Sequence, residues 1–258
     1  MQTLKIVDYS QINNTSLKCL ISGENFIIVI RNFYNKKNCQ DITDRIKKYN
    51  CDSFQNGKLR HIGPFLMAHT TSKKKYFKDA AKSQKTFKKI FCGMDSPILR
   101  VYDTVSRMLP GYSVSPAHED NNYYSQAIIR IHEKGTAIPL HKDNVTYEGK
   151  DYLLSNIDHQ LSCVLHIQES EGGGRLLLYD RKWKKDDECF RNIDFGYSLD
   201  LIGDSSAYMA PSINTGDLVI INPFYYHLVT RITGDTPRIT LGMFMGLYVQ
   251  DRKIVAWA

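Results

Sequence analysis

The second half of the chain contains many short β-branched and aliphatic segments separated by Gly and Pro, and this pattern limits the possible folds more than any other feature. The segments cover residues 126–132, 161–168, 175–179, 217–221, 228–232 and 238–248. Most of them have the length of a single strand in a globular protein. Many short strands at this spacing are typical of an all-β sandwich or barrel. We therefore predict a β-sheet core in this half of the chain.

The first ~115 residues differ, because most of their apolar side chains recur at helical spacing. One early strand is expected over residues 26–31. Three helices are predicted to start near Asn38, near Ser72 and at the Asp95–Pro97 segment. The chain therefore belongs to the α+β class, with a mostly helical region at residues 1–115 that packs on the β core.

The composition is that of a globular protein. With 258 residues and 42% apolar content, the chain can bury a full-sized core. The first residues lack the apolar run of a signal peptide, and the longest aliphatic run, 26–30, is too short to span a membrane. The six cysteines show no metal-binding or disulfide spacing, so we interpret them as reduced thiols. We expect a soluble, cytoplasmic protein that is a monomer or a homodimer.

The net charge of +7 comes largely from lysine clusters at residues 73–75, 88–89 and 182–185. A basic chain can bind nucleic acid. These clusters, however, are not interleaved with the aromatic side chains on which single-stranded nucleic acid stacks. Solvated surface lysines are therefore favoured, and a nucleic-acid partner is not expected.

Two His-x-Asp tripeptides occur in the sequence, at His118–Asp120 and at His141–Asp143. Residues i and i+2 project from the same face of an extended strand. Two imidazoles and a carboxylate on one face of a metal ion form the facial triad of non-haem Fe(II) oxygenases. His118 lies in a polar segment before the strands begin, whereas His141 follows a strand and a turn. We therefore predict His141 and Asp143 as metal ligands and His118 as a loop residue.

The third ligand must come from a distant strand, and His227 follows a buried apolar segment at residues 216–223. Arg238 comes eleven residues later and Thr240 two beyond it. A guanidinium is the preferred bidentate partner of a carboxylate, and the hydroxyl at i+2 shares its face. This pair is suited to the distal carboxylate of 2-oxoglutarate.

Residues 138–144, the Glu171–Arg175 glycine run and the segment from Gly216 through His227 to Leu241 occur in one characteristic order. Together they resemble the core of the Fe(II)/2-oxoglutarate oxygenases over residues 124–250. Residues 179–183 resemble, more narrowly, the branch of small-molecule and amino-acid hydroxylases and related halogenases that act on free substrates. The resemblance implies one domain over residues 1–258 and a double-stranded β-helix (jelly-roll, cupin-like) core. It also implies Fe(II), 2-oxoglutarate and O2 as cofactor and cosubstrates.

The strand before the predicted triad presents two different faces. Ala127, Ile129 and Ile131 share one face, while Arg130 and His132 share the other. The polar face is suited to cosubstrate carboxylate oxygens, so Arg130 and His132 are candidate cosubstrate ligands. A partly solvated strand remains an equal alternative.

The sequence gives less information about substrate recognition. Asn144, next to the predicted triad aspartate, is a candidate substrate contact, as are Glu119 and Trp183. The polar stretch 180–211 is too long for a simple connection, and such inserts often form active-site lids or are disordered. We predict it to be a lid.

The predicted activity is hydroxylation of an unactivated C–H bond in a small polar metabolite, with an amino acid or a derivative as the expected class. The resemblance implies that related halogenases carry Gly or Ala where this chain has Asp143. Alternatives are desaturation or cyclisation of a natural product, a nucleic-acid demethylase, and a prolyl-hydroxylase-like enzyme acting on protein. Demethylases usually have a second arginine six residues after the first, where this chain has Phe244. A jelly-roll binding protein without activity is the alternative from another class.

Overall fold

The computed structural model describes residues 3–49, 51–54, 59–193, 196–203 and 208–258. In them the helices are α1 (Lys18–Ile21), α2 (Lys36–Ile46), α3 (Lys73–Ile90), α4 (Pro97–Met108) and α5 (Val145–Glu148). The strands are β1 (Thr3–Asp8), β2 (Asn25–Arg31), β3 (Asp52–Phe54), β4 (Leu59–Ile62), β5 (Ser113–Pro116), β6 (His118–Glu119), β7 (Asn122–Tyr123), β8 (Ile128–His132), β9 (Ile138–His141), β10 (His159–Gln168), β11 (Leu176–Lys182), β12 (Arg191–Ile193), β13 (Gly196–Tyr197), β14 (Tyr208–Met209), β15 (Leu218–Ile221), β16 (Tyr225–Val229), β17 (Arg238–Tyr248) and β18 (Lys253–Trp257).

Two sheets of unequal size form the β core. The large sheet has the strand order β1-β2-β15-β10-β17-β8-β4-β3, with β18 paired to β17 and β5 paired to β18. The small sheet has the order β14-β11-β16-β9. An apolar cluster joins them, because Phe26 and Val29 on β2 and Val219 on β15 are buried together with Leu176 and Leu178 on β11. The two sheets therefore face each other as a sandwich.

The opposite face of the large sheet is covered by helices. Ile42 of α2, Phe87 of α3 and Val101 of α4 are buried in one cluster with Leu165 of β10 and Leu241 of β17. Alternation along each strand produces this division, since successive side chains point to opposite faces. One face of the large sheet is thereby sealed by helices, and the other is left for a site between the sheets.

All three predicted helices are present, and α3 and α4 begin at the predicted positions, directly after Ser72 and at Pro97. Helix α2 begins one turn before the predicted cap, because the side chain of Asn35 accepts a hydrogen bond from the backbone N–H of Lys37. Ser96, immediately before Pro97, caps α4 through the N–H of Leu99. The α+β class is confirmed. No helix among the described residues is long and apolar enough to cross a membrane.

The expectation of one strand in the first 115 residues was wrong. β1 pairs in parallel with β2, β4 pairs with β8, and β5 pairs with β18. These strands are short and lie towards the edges of the large sheet, where their hydrogen bonds depend on partners far away in sequence. Local periodicity contains no information about such partners, which is why the pattern indicated a single strand in this region.

Candidate active site

Three potential metal ligands converge at the inner face of the small sheet. His141 is the last residue of β9, and its backbone pairs with that of His227 in the middle of β16. Asp143 follows β9, and its N–H donates a 2.9 Å hydrogen bond to the carbonyl of Pro223. The Asp143 Oδ2 atom lies 3.9 Å from His141 Nε2 and 3.5 Å from His227 Nε2. Strand pairing thus brings together groups that are distant in sequence.

The positions of these side chains relative to the strands differ from the expectation. His227 was expected before a strand at 228–232, but β16 covers Tyr225–Val229 and includes it. The aspartate, in turn, was expected on the same strand as His141, but it lies just beyond the end of β9. The three ligand atoms nevertheless lie within 4.8 Å of one another.

Both imidazoles are oriented by the backbone. Nδ1 of His141 lies 2.9 Å from the carbonyl oxygen of Pro139, and Nδ1 of His227 lies 2.9 Å from that of Tyr225. If Nδ1 donates to the carbonyl, Nε2 is left as the lone-pair atom that a metal binds. Two nitrogens and one carboxylate oxygen are a donor set suited to a divalent iron with open positions. The residues present therefore fit a metal ion.

Burial and charge favour the ligand-competent protonation states. Burial lowers the pKa of His141 to about 4, so the ring is neutral near pH 7. Burial by itself would raise the pKa of Asp143, but the contact with His227 and the nearby His141 and Arg130 outweigh it and lower that pKa to about 2. A neutral imidazole and a charged carboxylate are the forms that bind metal.

The other His-x-Asp tripeptide lies elsewhere. His118 is exposed on the short hairpin of β6 and β7, and its Nδ1 is 3.4 Å from the carbonyl of Asp120. Within the described ranges, His141, Asp143 and His227 are the one group of three such residues close enough to share a metal ion. His118 was predicted to be a loop residue; it instead belongs to strand β6, and it does not line the cavity that contains the triad.

Next to the triad, the inner face of the large sheet carries a row of polar side chains. Arg238 on β17 pairs with His132 on β8, and Thr240 pairs with Arg130 on β8 and with His166 on β10. Cross-strand partners share a face, so all five side chains line the same cavity as the triad. The predicted cosubstrate ligands are therefore adjacent.

Several of these polar atoms have no partner in the described part of the chain. Nδ1 and Nε2 of His132 and Nε of Arg238 are buried without a hydrogen bond. The nearest carboxylate to Arg238 is Glu169, with 3.9 Å between Nε and Oε2. Burial lowers the pKa of Arg238, of Arg130 and of His132, the last one well below its usual value. Unsatisfied buried donors are costly, and a carboxylate is the group that would satisfy them.

Two glycines make room for the arginines. A Cβ on Gly242, in β17, would lie 2.9 Å from Nη1 of Arg130. A Cβ on Gly174, which has φ of +68°, would lie 3.0 Å from Cδ of Arg238. The Glu171–Arg175 glycine run therefore lets a loop pack closely against Arg238.

The cavity between the sheets has a volume of about 370 Å3. Besides the triad and the polar row, its walls include the following residues for which the sequence suggested no site role: Leu59, His61, Phe65, Leu66, Met67, Ile138, Pro139, Lys142, Glu148, Arg191 and Tyr197. Lys142 lies between two of the predicted ligands in sequence, and this position was the only sequence feature that could have indicated a role in the site. Arg191 and Tyr197 come from the predicted 180–211 insert, whose described parts therefore form one wall.

The three predicted substrate contacts do not line this cavity. Asn144 caps α5, where its Oδ1 accepts from the N–H of Tyr147 at 3.2 Å. Glu119 is buried and bonded to Lys73, to the hydroxyl of Tyr124 and to the N–H of Leu153. These side chains are held by structural contacts, which sequence position alone did not reveal.

Trp183 makes a structural contact as well. Its Nε1 donates to Glu188 at 2.9 Å, and its ring packs against Tyr147 with 4.7 Å between centroids. It lies behind the cavity wall and stabilises the residues that form it.

Comparison with known proteins identifies one matching family model, described as the carrier-protein-independent halogenase WelO5, which matches residues 3–258. No curated protein sequence matches significantly.

Solved structures share the fold. An N-substituted L-amino acid dioxygenase from Burkholderia ambifaria superposes with a TM-score of 0.64 at 15% identity, covering 94% of this chain and 90% of that one. An oxidoreductase of the 2OG-Fe(II) oxygenase family from Burkholderia pseudomallei gives 0.52 at 9% identity, with 95% and 94% covered. The carbocyclase SnoK of nogalamycin biosynthesis gives 0.54 at 13% identity, with 93% and 90% covered.

Proposed function

The chain belongs to the family of the carrier-protein-independent halogenase WelO5, within the Fe(II)/2-oxoglutarate oxygenases, and within this family we propose that it hydroxylates an unactivated C–H bond of a small metabolite. The observation that carries the proposal is the carboxylate of Asp143, whose Oδ2 lies 3.5 Å from Nε2 of His227. In the halogenases that this chain resembles, Gly or Ala at this position makes room for chloride. Here the carboxylate fills it, which favours oxygen transfer over halogenation.

Fe(II), 2-oxoglutarate and O2 are the cofactor and cosubstrates. Together they supply the oxidising power for C–H hydroxylation, and the chain supplies binding and orientation. His141, Asp143 and His227 would hold the iron. Arg238 and Thr240 would bind the distal carboxylate of 2-oxoglutarate, while Arg130 and His132 are placed to bind carboxylate oxygens near the triad.

The two facing sheets, with the triad on the small one and the arginines on the large one, support the finer proposal of a double-stranded β-helix core over residues 124–250. In the same proposal the chain is a single domain, the region 1–115 supports the core, chiefly through α2, α3 and α4, and 180–211 acts as a lid. Arg191 and Tyr197, both in that stretch, line the cavity.

We propose an amino acid or an amino-acid derivative as the substrate class. The similar fold of an N-substituted L-amino acid dioxygenase agrees with this class. A cavity of about 370 Å3 has the size of a small-molecule site, which supports this proposal. The proposal therefore favours a free metabolite over nucleic acid or protein.

The test is a metabolite screen that follows substrate-stimulated succinate formation in the presence of Fe(II), 2-oxoglutarate, O2 and chloride. Mass spectrometry of the product should show the gain of one oxygen atom. Incorporation of chlorine would overturn the proposed hydroxylation. Loss of two hydrogens would instead indicate desaturation or cyclisation, the second candidate, which the fold similarity to the carbocyclase SnoK favours.

A binding protein without activity is excluded by a simpler measurement. Anaerobic addition of Fe(II) and 2-oxoglutarate should produce a visible charge-transfer band. Absence of both the band and succinate would leave only the binding-protein alternative.

A further inference from the structure

One wall of the cavity is a cluster of charged side chains next to the proposed iron ligands. The side chain of Lys142 is fully buried, and its Nζ forms an ion pair with Glu148. The same Nζ lies 5.0 Å from the ring centre of Tyr147 and 4.7 Å from that of Trp183. The ammonium is therefore held by a carboxylate and two aromatic faces, and its position is fixed.

Arg191 joins this cluster from the neighbouring hairpin. Its Nη2 donates to Glu148 Oε1 at 2.9 Å, its Nε donates to Glu188 Oε2 at 2.8 Å, and Nη2 also contacts the hydroxyl of Tyr197 at 2.8 Å. The four charged side chains, Lys142, Glu148, Arg191 and Glu188, sum to zero. Each charge in this cluster therefore has an opposite charge beside it, and removal of one partner would leave the other buried and unpaired.

The two carboxylates of the cluster differ in one respect. Glu188 uses both oxygens, because Oε1 accepts from Trp183 and Tyr197 and Oε2 accepts from Arg191. Glu148 accepts both of its cations on Oε1, and Oε2 has no partner among the residues that the structure describes. Glu148 lines the cavity and Glu188 does not.

From this geometry we infer that Glu148 is a specificity-determining residue whose Oε2 accepts a hydrogen bond from a neutral N–H of the substrate. The inference rests on the proposed function and narrows its substrate class to amino-acid derivatives whose nitrogen is an amide. Since Glu148 already faces two cations, a third one, such as the ammonium of a free amino acid, would be repelled by both. A neutral N–H satisfies the free oxygen without adding charge.

The remaining walls agree with a neutral ligand. Phe65, Leu66 and Met67 form an apolar surface of the same cavity. An apolar body with one amide group would bury its carbon atoms there. The substrate is thus expected to be less polar than a free amino acid.

The test uses the iron- and 2-oxoglutarate-loaded protein with matched probes. The probes are leucine, valine and phenylalanine in three series: the free amino acids, the N-acetyl derivatives and the N-acetyl-N-methyl derivatives. The two acetylated series are also tested as methyl esters. The N-acetyl compounds should stimulate succinate formation about tenfold or more above both other series, because a hydrogen bond to a charged group is at stake. Equal or stronger stimulation by the free or N-methylated compounds, or no stimulation by any N-acetyl compound, overturns the inference.

The variant Glu148→Gln sharpens the test. Lys142 and Arg191 both donate, so they should hold the glutamine oxygen towards themselves and leave its NH2 facing the cavity. The preference should then reverse, with the N-methylated probes favoured over the N–H probes. Glu188→Gln removes a carboxylate from the same cluster without facing the cavity, and it should keep the wild-type preference.

Failure of this inference and failure of the proposed function give different results. If the charge-transfer band and slow uncoupled succinate formation persist while Glu148→Gln keeps the wild-type order of probes, only the role of Glu148 is wrong. If wild-type protein shows no band, the proposed oxygenase function itself is wrong. Thermal unfolding of both variants checks that the fold is retained.

Discussion

At the scale of single residues, the site depends on groups that are useful only in one protonation state and one orientation. His141 and His227 have their Nδ1 atoms fixed by carbonyls of their own strands. Asp143 is fixed through its own backbone N–H. Each side chain is therefore oriented before any ligand binds, which limits the entropy lost on binding.

Replacing Asp143 should distinguish its role from that of Asp120 in the other His-x-Asp tripeptide. Asp143→Ala should abolish hydroxylation and lower iron affinity by more than the roughly 10–100-fold that loss of an outer-shell partner costs. Asp120→Asn is the control, since Asp120 has φ of 49° and asparagine tolerates that conformation. Succinate release measures the activity of each variant, and iron titration measures its affinity for iron. Undiminished product from Asp143→Ala would remove it from the ligand set.

Arg238 is expected to act through the shape of its guanidinium as well as its charge. Arg238→Lys keeps the charge but loses the planar pair of donors, and it should weaken 2-oxoglutarate binding about 10–100-fold. Arg231→Lys serves as the control, because Arg231 is exposed and donates to the carbonyl of Gly135. Titration of the charge-transfer band gives both affinities, and equal values would contradict the assignment.

At the scale of elements, β17 explains how one strand serves the core and the site. Its eleven residues alternate between the helix-covered face, with Leu241 and Met243, and the cavity face, with Arg238 and Thr240. The sequence predicted its bounds because such a long alternation needs no distant partner to be recognised. Shorter β4 and β5 escaped prediction for the opposite reason.

Two glycines of β17 should respond differently to alanine. A Cβ on Gly242 would lie 2.9 Å from Nη1 of Arg130 and at ordinary contact distance from Ile128 and Val164, so Gly242→Ala should displace the Arg130 guanidinium and weaken 2-oxoglutarate binding with little loss of stability. A Cβ on Gly246 meets Ile157 and Trp257 at 2.8 Å, so Gly246→Ala should lower Tm by several degrees instead. Calorimetry and cosubstrate titration separate the two effects. An equal loss of stability in Gly242→Ala and Gly246→Ala would contradict the claim that the absence of a side chain at Gly242 serves to accommodate Arg130.

At the scale of the whole molecule, the buried histidines link stability to pH. Burial lowers the pKa of His69, His132, His141 and His166. Between their ordinary and folded pKa values, the unfolded chain binds more protons than the folded one. The free energy of unfolding therefore falls as pH decreases through this window.

The metal-free protein should show this loss in urea unfolding. For His141, a shift from 6.5 to about 4 corresponds to roughly 2 kcal/mol lost between about pH 7 and pH 5. The depressed pKa of Asp143 adds a further loss only below its ordinary value of 3.8. Stability that is flat or rises on acidification to about pH 5 would contradict the neutral, buried state of these rings.

The sequence by itself determined the chemistry of the site and the order of its parts. His141, Asp143, His227 and Arg238 were recognisable because their residue types and order are suited to one kind of chemistry. The strand alternation that places Arg130 and His132 on one face was equally local. Residue type and period-two alternation depend on near neighbours, and near neighbours are what a sequence displays.

Only the tertiary structure decided what surrounds these groups. It turned Glu119 inwards to a structural pair with Lys73, left His118 on an exposed hairpin, and joined Glu148 to Arg191 across 43 residues of sequence. Such contacts depend on how two sheets and a hairpin pack, and many sequences with the same local pattern would pack differently. The three candidate metal ligands were therefore predictable from the chain, and the charged wall beside them was not.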